Sequence, residues 1–126
     1  MNKELEKRLI DEFPTFFKDM YGDPRVTCMA WGCAHGDGWW DIIYEACKEI
    51  AKIDDGTFTF LQIKEKFGGL RLYYGGGVEG VNKIITDAED KSYTTCEDCG
   101  TKENVTSEGS WIQTLCGNCR KPNTTK

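Results

Sequence analysis

The sequence predicts an α+β fold: a small antiparallel sheet, centred on a hairpin over residues 58–74, packed with two or three helices and followed by a C-terminal zinc ribbon. Three patterns predict it. Apolar residues recur at helical spacing in separate stretches, alternating residues flank a Gly-Gly pair, and two Cys-x2-Cys pairs stand 16 residues apart near the C-terminus. A chain of 126 residues has room for one small domain and an appendage. The organisation read from it is an α+β domain over 1–93, a ribbon over 94–120 and a disordered tail over 121–126.

The first helix is expected over residues 2–12, where Leu5 and Leu9 share one face and Glu and Lys fill the positions between. Pro14 lacks an amide donor and stops the run, so Phe13 closes the helix and Pro14 opens a short turn. Phe13, Phe16, Phe17 and Met20 continue the apolar stripe. From Tyr21 to Gly38 the pattern is irregular. A second helix follows at WWDIIYEACKEIAKI, with Trp39, Ile43, Ala46, Ile50 and Ile53 on one face, Asp37 as N-cap and Asp41 in the first turn. The DDG at 54–56 ends it.

The hairpin pairs TFTFLQIKEK with LRLYY around Gly68-Gly69, residues that accept the positive φ of a tight turn. A loop shifted to Phe67-Gly68 places Lys64 opposite Arg71. In either register Leu61, Ile63, Leu70, Leu72 and Tyr74 fall on the core side, while Gln62, Lys64, Lys66, Arg71 and Tyr73 fall on the other. A glycine-rich connector leads to a third helix carrying Val81, Ile84, Ile85, Ala88 and Ser92 on one stripe.

Cys96, Cys99, Cys116 and Cys119 have the ribbon spacing. A two-residue gap lets both sulfurs of a pair reach one ion, and four thiolates complete a tetrahedral zinc with no position left for water. The expected cofactor is therefore one structural zinc ion. Roughly 30 residues bury too little apolar surface to fold alone, so the metal supplies much of the module's folding free energy. Cys28, Cys33, His35 and Cys47 hold further metal-ligating atoms, but their spacing fits no ribbon or finger.

Composition narrows the partners. Net charge is −5 and the pI about 4.9, which argues against a broad DNA-binding surface. Residues 1–57 carry 7 basic and 12 acidic side chains, whereas 58–91 and 92–126 each balance to zero. No run is long enough to span a membrane. Without an export signal, seven cysteines point to a reducing cytoplasm. Walker, GxSxG and HExxH templates are all missing, so an enzyme is the weaker reading.

Two constellations remain. Lys64, Lys66 and Arg71 beside Tyr73 form a cationic platform suited to phosphate, with an aromatic ring for a base. The loop Trp31–Trp40, with His35 and Asp37, supplies further indoles, of which Trp40 is expected to stack on the ligand.

GDGWWD opening a helix, KEKFGGLRLY across a hairpin, AEDKS at a helix end, then CxxCG and WxxxLCxxC resemble a recurrent family of small bacteriophage proteins ending in a zinc ribbon. The resemblance covers about residues 28–119 and implies a phage source and a bacterial host cytoplasm. Such accessory proteins often counter host immunity by sequestering a nucleotide signal or blocking a host protein. The expected role is therefore a non-enzymatic protein that binds an anionic nucleotide-like ligand. The first alternative is a ribbon that binds a host or phage protein, and the second is direct nucleic-acid binding, which ranks lower on charge. A homo-oligomer is compatible with the pattern.

Overall fold

A computed structural model describes residues 2–18, 33, 34, 36–109 and 112–120. Helix α1, Lys3–Glu12, starts where the Asn2 side chain accepts the Glu4 N–H at 2.6 Å. It ends where the Phe13 N–H closes on the Leu9 carbonyl, one residue before Pro14 removes the next donor. Turns over 13–18 then carry Phe16 and Phe17 into the core.

Strand β1, Cys33–Ala34, is short and pairs in parallel with β2, Thr59–Lys66, which pairs antiparallel with β3, Gly69–Gly75. The sheet is therefore mixed, with β2 in the centre; the hairpin alone is antiparallel as the sequence predicts. Its loop is Phe67-Gly68, at φ 52° and 85°, and the register sets Lys64 opposite Arg71 and Gln62 opposite Tyr73. Two consecutive positive φ values match the twist of the flanking strands, which selects this loop over Gly68-Gly69.

A bulge between Phe60 and Gln62 changes one expectation. The extra residue switches the side-chain parity, so Phe58 and Phe60 face the core with Ile63, and Leu61 is turned out at 42% exposure. Helix α2, Trp40–Ile53, buries Trp40, Ile42, Ile43, Ala46, Cys47 and Ile50, whereas Ile53 at its last turn is exposed. Asp37 does not cap it. A 3₁₀ turn, Asp37–Trp39, precedes the helix, and the Asp37 carboxylate instead accepts the Asn2 backbone N–H at 2.6 Å.

Helix α3, Val81–Ser92, lies against α2 and along the outer edge of β3. Its buried residues Val81, Ile85, Ala88 and Ser92 are those the spacing selects. The edge itself is closed by side chains. Ser92 Oγ accepts the Leu70 N–H at 2.9 Å, and Glu89 Oε2 accepts the Leu72 N–H at 2.8 Å. An edge strand with unpaired donors invites pairing with another chain; here two of those donors are occupied. Aromatic contacts among Phe13, Phe16, Phe58, Phe60 and Tyr74 fill the space beneath the sheet. The ribbon follows as strands β4, Val105–Glu108, and β5, Gln113–Cys116, and the single turn α4, Gly117–Arg120. Among the described residues no helix is long and apolar enough to cross a membrane.

Replacing Ser92 by Ala leaves the buried Leu70 N–H without a partner, at a cost of about 1–3 kcal/mol. Chemical denaturation measures it, and a stability unchanged from the parent contradicts the edge-closing role.

Candidate metal centre

The four ribbon cysteines meet as their spacing predicts. Their sulfurs all lie within 4.8 Å of one another, and Cys99 Sγ stands 3.7 Å from Cys116 Sγ. Sulfurs bound to a tetrahedral ion at about 2.3 Å lie roughly 3.8 Å apart, so the cluster has the dimensions of a four-thiolate metal site. Each pair also carries the same internal bond. Cys99 N–H donates to Cys96 Sγ, and Cys119 N–H to Cys116 Sγ, both at 3.4 Å. Amide donors aimed at sulfur favour the thiolate, the form a metal requires.

Electrostatics follow from burial and those donors. Burial pushes the Cys96 thiol up, but the amides of Cys99, Cys116 and Asp98 outweigh it and bring the group down to about 7. Cys119 is raised, first by burial and then by sharing protons with the other three thiols. Four thiols this close cannot all ionise without a cation. The arrangement fits a structural metal, since all four ligand positions are supplied by the chain.

The knuckle is built into the rest of the molecule. Gly38 N–H donates to the Glu97 carbonyl at 2.6 Å, Gly36 N–H to Glu97 Oε2 at 2.9 Å, and Trp39 Nε1 to the Thr95 carbonyl at 2.9 Å. A methyl group on Gly38 would come within 2.1 Å of the Cys96 carbonyl and 2.6 Å of Gly100 N. The glycines of the tryptophan loop are therefore contact points for the metal knuckle. On the other side, Thr114 Oγ1 donates to the Gly68 carbonyl at the hairpin turn. The Glu97 carboxyl is raised, chiefly by burial, against the lowering effect of the Gly36 N–H.

No protein-family model, curated protein or solved structure matches the chain.

The remaining predicted positions divide. Lys64, Lys66, Arg71 and Tyr73 share the outer face of the hairpin. Trp40 does not join them. It is only 9% exposed, its Nε1 donates to the Leu5 carbonyl, Tyr44 stacks on its ring at 4.9 Å, and the Arg8 guanidinium lies 4.4 Å from its centroid. With both polar and aromatic capacity used in holding α1 to α2, it has no ring face for a base. Trp39 is fully buried. Trp31, His35, Cys28 and the tail 121–126 lie outside the described residues. Cys47 sits in the core with no exposure; among the described residues the ribbon cysteines form the one cluster dimensioned for an ion.

Tyr93, which sequence reasoning missed, lies over Gly69 beside Arg71. A methyl on Gly69 would stand 2.3 Å from Tyr93 Oη, and the Arg71 guanidinium lies 5.9 Å from the Tyr93 centroid. No spacing rule connects residue 93 to the hairpin.

Gly38→Ala carries no ligand atom, yet it forces the Cys96–Gly100 backbone away from α2. It should lower metal affinity at least tenfold in competition against a chromophoric chelator; wild-type affinity rules out the knuckle–helix coupling. Thiols must lose protons to bind, so protons compete with the metal for the sulfurs and acidification releases it. A titration from pH 8 to pH 5 should therefore free the ion and lower the melting temperature together. Release without any fall in melting temperature would contradict a structural role.

Proposed function

We propose that the chain is a non-enzymatic binding protein, made rigid by a structural zinc ion, that holds an anionic nucleotide-like ligand on the outer face of its hairpin. One observation carries the reading. Lys64, Lys66 and Arg71 project from one face, with Lys64 and Arg71 directly opposed. The ion pairs among the described residues are Lys7–Asp11, Lys48–Glu45, Lys52–Glu49 and Lys83–Asp87, so none of these three cations belongs to a described ion pair, and Glu89 acts on Arg71 only through space. Like charges directly opposed across strands repel each other, and a bound anion removes that cost.

Two recesses among the described residues have the wrong charge. The groove between α2 and α3, about 440 Å³, sets Glu45, Glu49 and Asp87 against Lys83 and Lys91. The cleft beside the metal, about 220 Å³, presents Glu97 and Asp98. A phosphate finds its donors at the hairpin. Arg71 is partly pre-positioned, because it bonds the Leu70 carbonyl at 3.2 Å and rests on Tyr93. Its remaining N–H groups suit a phosphate oxygen, Lys64 adds a second cation, and the half-exposed Tyr73 ring offers a stacking surface. Zinc is the ion that four cysteines at ribbon spacing select. In a phage protein, the source the motif resemblance supports, such holding amounts to sequestering a host nucleotide signal.

A second reading, docking on a protein, is favoured by Phe67 at the hairpin tip. It is 69% exposed, and Ile112, 40% exposed, lies beside the same turn. Capture of a defined host or phage protein that survives nuclease treatment and is lost in Phe67→Asp would favour it.

The decisive experiment is capture and release. Zinc-loaded protein is mixed with cyclic and linear nucleotides, washed and denatured, and the released material identified by mass spectrometry. An intact nucleotide at near-stoichiometric yield is expected, and Arg71→Ala should release none while melting at the parent's temperature. A cleaved nucleotide makes the protein an enzyme. No bound nucleotide, or unaltered capture by Arg71→Ala, overturns the assignment.

A further inference from the structure

The outer face of the hairpin is longer than one nucleotide. Along β3 the positions on this face are Gly69, Arg71 and Tyr73. Gly69 has no side chain, and Tyr93 occupies the space where one would be, its hydroxyl 2.3 Å from the place of a glycine methyl. The sequence of groups on this edge is thus an aromatic ring, a guanidinium and an aromatic ring. Tyr93 remains 37% exposed and Tyr73 41% exposed, so each still presents surface to solvent.

The neighbouring strand matches this order. Lys66 stands opposite Gly69, Lys64 opposite Arg71 and Gln62 opposite Tyr73. Cations therefore concentrate in the middle and at one end. An amide, able both to donate and to accept, stands beside one ring. Four residues of strand separate Gly69 from Tyr73, about 13 Å. The two aromatic side chains thus meet the strand at positions further apart than one base spans.

We infer that Tyr93 completes this face, and that its ligand carries two planar bases joined through a phosphodiester, with the phosphate on Arg71 and Lys64 between the rings. The inference rests on the anion-binding reading above and adds the ligand class. Tyr73 takes one base, whose hydrogen-bonding edge faces Gln62. Tyr93 takes the other, with Lys66 alongside. The aromatic rings provide stacking that any base can use, while the spacing between them selects for two bases over one. Tyr93 is held by the tight fit over Gly69 and by its place at the end of α3, where its N–H bonds the Asp90 carbonyl.

The test compares three probes by calorimetry on the zinc-loaded full chain: adenosine monophosphate, a linear diadenosine with one phosphodiester, and a linear four-nucleotide strand. Diadenosine should bind about tenfold or more tighter than the monophosphate, as a second stacked base predicts. Tyr93→Leu also removes a support of Arg71, so it should weaken both probes and bring diadenosine down to the monophosphate's affinity, abolishing the preference between them. Tyr93→Phe, which keeps the ring, should retain the preference, and metal content and melting temperature show that both variants are folded. If monophosphate and diadenosine bind equally and both are lost in Arg71→Ala, the anion site stands and the two-ring inference falls. Affinity that keeps rising from two to four nucleotides also overturns it, because contacts then continue along a strand. Binding of no probe removes both readings.

Discussion

The Gly38 N–H donates to the Glu97 carbonyl at 2.6 Å, and no side chain fits between the start of α2 and the first cysteine knuckle. Much of the molecule hangs on that contact. Beside it Trp39 is fully buried and donates to Thr95, which tethers the residue just before Cys96 to the core. Metal binding to a four-thiolate ribbon is worth about 10–16 kcal/mol of apparent folding free energy. A single backbone hydrogen bond contributes about 1 kcal/mol. The ion therefore determines whether the knuckle exists, and the glycine contacts determine where it sits.

From there the constraint reaches the hairpin by two routes. Thr114, buried in the ribbon, donates to the Gly68 carbonyl at the turn. Ser92 and Glu89, near the end of the helix that leads into the knuckle, hold the amides of Leu70 and Leu72. Both routes end at the segment that carries Arg71. A flexible surface arginine loses side-chain entropy when it binds an anion; one already resting on Tyr93 and bonded to a carbonyl loses less. The metal centre and the cationic face are thus tied together by hydrogen bonds from Thr114, Ser92 and Glu89.

Charge distribution is consistent with this division of labour. The acidic excess lies in residues 1–57, where Asp11, Glu45 and Glu49 on α1 and α2 are matched by lysines at i, i+3 or i, i+4 spacing. The outer hairpin face is different: its cations form no ion pair among the described residues, and Glu89 acts on Arg71 only through space. In a chain of net charge −5, that face is a local concentration of the opposite sign.

Periodicity and spacing alone determined the three long helices, the hairpin, its polar face and the four metal-binding cysteines, because each rests on contacts between residues close in sequence or on a fixed ligand geometry. Asn2 and Pro14 bound the first helix by local backbone chemistry, and Cys-x2-Cys is a local turn. Only the tertiary structure decided what the local rules do not encode. The Leu61 bulge depends on fitting Phe58, Phe60 and Ile63 to one core, so strict alternation misplaced it. Trp40 looked available in sequence, yet Arg8 and Tyr44 cover its ring. Glycines 36 and 38 carry no periodic signal in the sequence, yet they are the close approach to a knuckle some 60 residues away. Tyr93 reaches the outer hairpin face only because α3 runs along β3 and ends where Gly69 leaves room, a juxtaposition set by packing between elements distant in sequence.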